Sequence, residues 1–180
     1  MRPILTAVLA AAALTAPACS DLKQDDNSQV IPQNEGANAD LGRVMLRNAF
    51  LIGGPPGRPL QPGTSVPMYL ALLNGGAAAD RLVSVSAPGV FQGATLPAGG
   101  LTVPPNGFVG ATPTPQALMT GLLRPLRSGT AIPMRLTFEH AGSTTVQVPV
   151  LPPTNWRATY SPWPSASPTP SPTPSPTPSP

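Results

Sequence analysis

One stretch of this chain restricts its fold more than any other, residues 130–150. Between Thr130 and Glu139, Ile132, Met134, Leu136 and Phe138 alternate with Pro133, Arg135, Thr137 and Glu139. Between Ser143 and Val150, Val146, Val148 and Val150 alternate with Thr145, Gln147 and Pro149. A period of two places one row of side chains in a core and the other in water, which is the mark of half-buried β-strands. His140-Ala141-Gly142-Ser143 joins the two runs, and a short Gly-containing link of this kind predicts a hairpin. With Gly121–Arg127 as a lead-in loop, the segment commits the chain to an all-β core.

The remainder agrees with that commitment. There are 28 prolines and 17 glycines among 180 residues, and aromatics make up only 4%. Such usage favours short strands and frequent turns over helices. Ser65–Asn74 (SVPMYLALLN) is apolar on both parities and reads as a central strand covered on both faces. In Arg43–Ile52, Val44, Leu46, Phe50 and Ile52 share one parity, with Asn48 the exception. Asp80–Ala87 alternates again, with Leu82, Val83 and Val85 apolar, and Ala94–Leu96 and Leu101–Val103 are further short strands. Trp156 and Tyr160 follow the last strand and are expected to close an end of the core. The folded domain is thus expected over residues 43–160.

Both ends differ from this domain. Residues 1–18 read as an export signal: Arg2 is the positive region, and Ile4–Leu14 is an apolar run too short to span a bilayer as a helix. Ala16-Pro17-Ala18-Cys19 follows, with the chain's one cysteine. Small residues before a cysteine resemble the lipobox of bacterial lipoproteins, which implies lipidation at Cys19 and a membrane anchor; plain secretion after Ala18 is the alternative. Residues 19–42 are polar and acidic, and read as a flexible tether. Residues 161–180 are a Ser/Thr-Pro repeat in which proline removes donors and fixes φ. That tail is expected to be an extended rod of about 60 Å.

Charge is unevenly divided. Residues 21–40 hold Asp21, Asp25, Asp26, Glu35 and Asp40 against Lys23, while residues 41–160 hold eight arginines against Asp80 and Glu139. A basic exported domain suits an acidic partner, such as anionic lipid, cell-wall polymer or an acidic envelope protein. Nucleic acid is not expected, because the arginines are not interleaved with aromatics and the chain carries an export signal. The high ratio of arginine to lysine is typical of a GC-rich bacterium and, with the lipobox, suggests an extracytoplasmic, lipid-anchored protein of a Gram-positive cell.

Several segments, in order, resemble the PCu(A)C-type copper-chaperone family of exported cupredoxin-like β-domains. They are Val66–Asn74 with Gly75-Gly76, Ala79–Ser86, Leu96–Gly100, Gly121-Leu122 with Arg124-Pro125-Leu126, and Gly129–Val150. The resemblance implies a cupredoxin-like β-sandwich, a Greek-key barrel, over roughly residues 43–150. It also implies where Cu(I) ligands would stand: a His with Met after the strand matching Arg81–Ser86, and a His-x-Met just before Gly121-Leu122. Neither is present. Residues 87–96 contain no His or Met, and Gln116 and Leu118 occupy the second pair of positions. Met119 is one position off, so strand alternation turns it to the other face. Met45, Met68, Met119, Met134 and His140 are the remaining soft donors, and Met68 and Met134 fall on core parities. The expectation is a domain without a metal site, with a copper carrier rebuilt from Met119 or His140 as the alternative. No catalytic set is expected either. The domain has one His and two carboxylates, no Gly-x-Ser-x-Gly and no phosphate loop. The chain therefore reads as an envelope binding module with no cofactor.

Overall fold

The computed structural model describes residues 35–160 and 162–163. The predicted leader, Cys19, most of the acidic tether and the Ser/Thr-Pro repeat lie outside these residues. Ten strands form: β1 (Ala37–Leu41), β2 (Val44–Ile52), β3 (Val66–Asn74), β4 (Asp80–Ser86), β5 (Phe91–Thr95), β6 (Leu101–Val103), β7 (Gly107–Gly110), β8 (Ala117–Leu122), β9 (Ala131–Phe138) and β10 (Ser143–Leu151). One 3-10 turn, Asn155–Thr159, follows. The strands hydrogen-bond in the order β5-β8-β3-β2-β10-β9-β4-β6, with β1 added to β2 and β7 added to β3.

All neighbouring pairs are antiparallel except one. β10 runs parallel to β2 over the two pairs Val150–Leu51 and Leu151–Ile52. This short parallel seam joins a β5-β8-β3-β2 half to a β10-β9-β4-β6 half. The halves curl over one apolar core. Leu46, Leu51, Val66, Met68, Leu72, Met119 and Leu122 come from the first half, and Leu82, Val103, Met134, Leu136, Val148 and Val150 from the second. This is the all-β, cupredoxin-like sandwich expected from the alternation.

β9 and β10 form the expected hairpin, in register from Ser143–Thr137 to Pro149–Ala131. Ile132, Met134, Leu136 and Phe138 are buried, as are Val146, Val148 and Val150. β3 is covered on both faces: Val66, Met68, Leu70 and Leu72 enter the main core, while Tyr69 turns the other way and stacks on Phe50 at 5.3 Å between ring centroids. Both readings of alternation therefore hold.

The reading of β2 needs correction. Asn48 adopts a φ of +50°, and the register with β3 shifts between Arg47 and Phe50. An extra residue at this bulge reverses the parity of everything after it. Val44 and Leu46 point into the core, but so do Ala49 and Leu51. Phe50 emerges on the opposite face, where it meets Tyr69, Trp156 at 5.9 Å and Tyr160 at 5.7 Å. Trp156 and Tyr160 thus pack against the outer face of the first half, forming a second small core rather than an end plug. Burial, and to a lesser degree the nearby Tyr160, pushes the Tyr69 phenol up to about 12, so that ring stays neutral in its apolar setting.

The N-terminal boundary also moves. The domain was expected from Arg43, with residues 19–42 a flexible tether. Instead Ala37–Leu41 pairs with β2, and Asn48 holds this strand in place. Its side-chain oxygen accepts from Gly36 N–H at 2.9 Å, and its own N–H donates to the Asn38 side chain at 3.0 Å. Upstream, the Glu35 carboxylate pairs with Arg157. Arg157 is only 7% exposed, donates from Nε to Pro152 O at 2.8 Å and lies over the Trp156 ring. Arg157 thereby clasps the first and last described segments together.

If the bulge sets both faces of β2, the φ of residue 48 is the costly requirement. Asn48→Gly should lose about 1 kcal/mol or less, because glycine keeps the conformation and loses only the side-chain bonds. Asn48→Val should lose about 2–3 kcal/mol, because a β-branched residue at positive φ is strained. Urea denaturation of the two variants measures the difference, and equal losses would contradict this assignment.

Candidate functional site

Two segments carry the positions at which the resemblance would place copper ligands, and the fold brings them side by side. β5 pairs with β8 through Gly93–Thr120, Ala94–Met119 and Thr95–Leu118. On β8, Ala117, Met119 and Leu122 are buried, whereas Leu118 and Thr120 are half-buried on the outer side. Gln116 precedes them, its amide nitrogen donating to Thr114 O at 2.9 Å within the proline-rich loop. The face across which the two segments meet therefore presents an amide, two threonine hydroxyls and a leucine. These are hard or apolar groups, while Cu(I) takes thiolates, thioethers and imidazoles. The residues present do not fit that cargo.

Of the remaining soft donors, three methionines lie in the apolar interior and His140 lies apart from Met119. Met68, Met119 and Met134 are fully buried in the main core, where an unbranched thioether serves as filler. Met119 sits opposite Val66, at the start of β3. His140 lies by the turn that follows the far end of β3, alongside Ala78, Ala79 and Asp80. The eight residue steps of β3 from Val66 to Asn74 separate these levels by about 25 Å. A site built from Met119 and His140 is not assembled by this fold. Among the described residues no group of three or more His, Cys, Asp or Glu side chains is gathered as metal ligands.

His140 has a different partner, one not evident from sequence. Its Nδ1 lies 3.4 Å from the Asp80 carboxylate. Asp80 is 6% exposed and accepts three backbone N–H groups, from Arg81 at 2.7 Å, His140 at 3.0 Å and Ala141 at 2.8 Å. Burial alone would raise its pKa; the three N–H groups and the His140 side chain outweigh burial and hold the carboxyl below its ordinary 3.8. Asp80 is thus a clamp. It fixes the β9–β10 turn to the start of β4, and the imidazole rides on the rim in solvent. Beside it runs an open groove of about 610 Å³ lined by small residues, chiefly Gly76, Ala77, Ala78, Ala79 and Ala141. Glu139, the other carboxylate noted in sequence, makes a bidentate pair with Arg81. Both partners are about 40% exposed, so this pair adds little stability. Asp80 thus faces the His140 imidazole, and Glu139 faces the Arg81 guanidinium.

The architecture defines a class. It is the fold of PCuAC domains: the apo PCuAC domain from PmoF1 superimposes with a TM-score of 0.55 at 21% identity, covering 64% of this chain and 99% of that one. The copper-bound PCuAC domain from PmoF2 gives 0.55 at 23% identity, over 64% and 98% of the two chains. The apo PmoF2 PCuAC domain gives 0.54 at 22%, over 66% and 97%. The family model for LpqE-like lipoproteins matches residues 44–150, well over half of the sequence. The chain belongs to the LpqE-like lipoprotein family. No curated protein sequence matches it significantly. No helix among the described residues is long and apolar enough to cross a membrane.

The Asp80 clamp gives a pH signature. A carboxyl whose folded pKa lies below its unfolded value contributes stability above the unfolded value and loses it as pH falls through the folded one. Asp80→Asn should cost about 1–3 kcal/mol at neutral pH, since an amide cannot serve three donors as a carboxylate does. It should also flatten the fall in stability below about pH 4. Denaturation curves from pH 7 to pH 2 measure both effects, and an unchanged acid limb in the variant would count against the clamp.

Proposed function

We propose that this protein is an exported lipoprotein, anchored through Cys19, whose PCuAC-like domain serves as a binding module at the cell envelope and does not carry copper. The observation that supports the reading is the content of the β5–β8 face. Gln116, Leu118, Thr95 and Thr120 stand together where the family's ligands would converge, and none is a soft donor. The fold around them is that of PCuAC domains, which supports a domain kept for recognition rather than metal carriage. The family and the Ala16-Pro17-Ala18-Cys19 sequence support the anchor. A domain held near a membrane by a tether gains effective concentration toward envelope partners without new contacts.

Two experiments test the two parts. Cys19→Ala should move the protein from the membrane fraction to the medium; retention in the membrane would contradict the anchor. For the domain, Gln116→His with Leu118→Met restores one ligand pair on the outer face of β8. The double variant should bind Cu(I) at least about tenfold more tightly than the natural sequence. A natural protein that already matches the variant would show that copper is held by other residues.

A further inference from the structure

The strongest unassigned feature is a basic cleft at one end of the sandwich. Two loops run antiparallel there. Leu60 and Leu126 exchange N–H···O bonds of 2.8 and 3.0 Å, and Gly63 N–H donates to Leu122 O at 2.7 Å. The Ser128 hydroxyl ties the first loop again through Gly54 O at 2.6 Å. Both loops are fastened to the β2–β10 seam, through Gly53 N–H to Leu151 O and Gly129 N–H to Val150 O. The cleft between them, about 280 Å³, is lined by Arg58, Arg127, Ser128 and Gly57 with two prolines. Arg124 is exposed on the same loop as Arg127.

These arginines have no counter-charge among the described residues. The described carboxylates are four, and each is already matched. Asp40 pairs with Arg47, Glu139 with Arg81 and Glu35 with Arg157, while Asp80 holds the β9–β10 turn. Arg58, Arg124 and Arg127 form no ion pair with any of them. A guanidinium fork suits phosphate oxygens, which accept paired N–H donors.

The position of this end fixes the partner. Glu35 is bound to Arg157, Arg157 donates to Pro152 O, and Leu151 accepts from Gly53, the first residue of the cleft's own loop. The tether therefore enters the domain at the end that carries the cleft. From Cys19 to Glu35 it can span at most about 55 Å. We infer that Arg58, Arg124 and Arg127 form a docking surface for the phosphate headgroups of anionic phospholipids, the second contact of a domain already tethered to that membrane. The inference rests on the anchored envelope location proposed above. A basic patch held near a membrane is attracted to its anionic lipid headgroups.

The test uses the Cys19→Ser chain isolated after export, which cannot be acylated, so a failed lipid anchor does not affect the result. It is sedimented with vesicles of phosphatidylcholine alone or with a third phosphatidylglycerol, at low and at physiological salt. Binding should require phosphatidylglycerol and weaken with salt. It should fall at least fivefold in Arg58→Gln/Arg124→Gln/Arg127→Gln and hold within twofold in Arg43→Gln/Arg135→Gln, whose arginines lie outside the cleft. Circular dichroism of both variants checks that the fold is kept. Equal losses in the two variants would reduce the effect to net charge and overturn the proposal. So would binding to purified wall polymer but not to vesicles. Vesicle binding that appears only after Asp21, Asp25 and Asp26 are changed to Asn would assign the cleft to the chain's own acidic tether, and likewise overturn it.

Discussion

The structure depends on the bulge at Asn48. A strand with strict alternation can fill one core with one row of side chains. β2 has to fill two, because it lies between β3 and the β1–β10 edge and has the main core on one side and the aromatic cluster on the other. One residue at positive φ gives it both. Leu46 and Leu51 enter the main core from opposite sides of the bulge, and Phe50 is released to the outer face. From that release follow the docking of Trp156 and Tyr160, the burial of Arg157 and the attachment of Glu35. The bulge residue also binds Gly36 and so fixes β1.

Much of the fold could be read from the sequence because alternation was strong there. β9, β10 and β3 were visible in their apolar rows, and the order of short segments carried a resemblance that the superpositions and the family model bear out. The misreadings have physical causes. β1 is ANADL, five residues of low apolar content whose burial comes from pairing with β2 rather than from its own side chains. The Asn48 parity break was noticed as an exception, but pattern alone does not tell an exception from a phase reversal. Arg157 is buried by a carboxylate 122 residues away in sequence, a distance over which local reasoning has no reach. Asp80 and His140 are likewise 60 apart; they meet because β4 and β9 are neighbours.

The site was legible in a narrower sense. Gln116 and Leu118 marked the absence of a His-x-Met pair, and Met119 was expected to face away from it; it is fully buried. What the sequence did not reveal is that the β5–β8 pairing sets the threonines beside these two residues, so the exchanged face is continuous. Nor did eight scattered arginines disclose their division of labour. Three are matched to carboxylates, and Arg58 and Arg127 line a cleft at the loop end through which the tether enters.

The central claim is that a PCuAC-type scaffold is maintained here without its metal chemistry. Equilibrium titration of the natural, metal-free protein with Cu(I) against a competing chelator addresses it most directly. The account predicts no copper retained at sub-micromolar free Cu(I), with the chelator keeping its full share throughout. One equivalent bound under those conditions would contradict it.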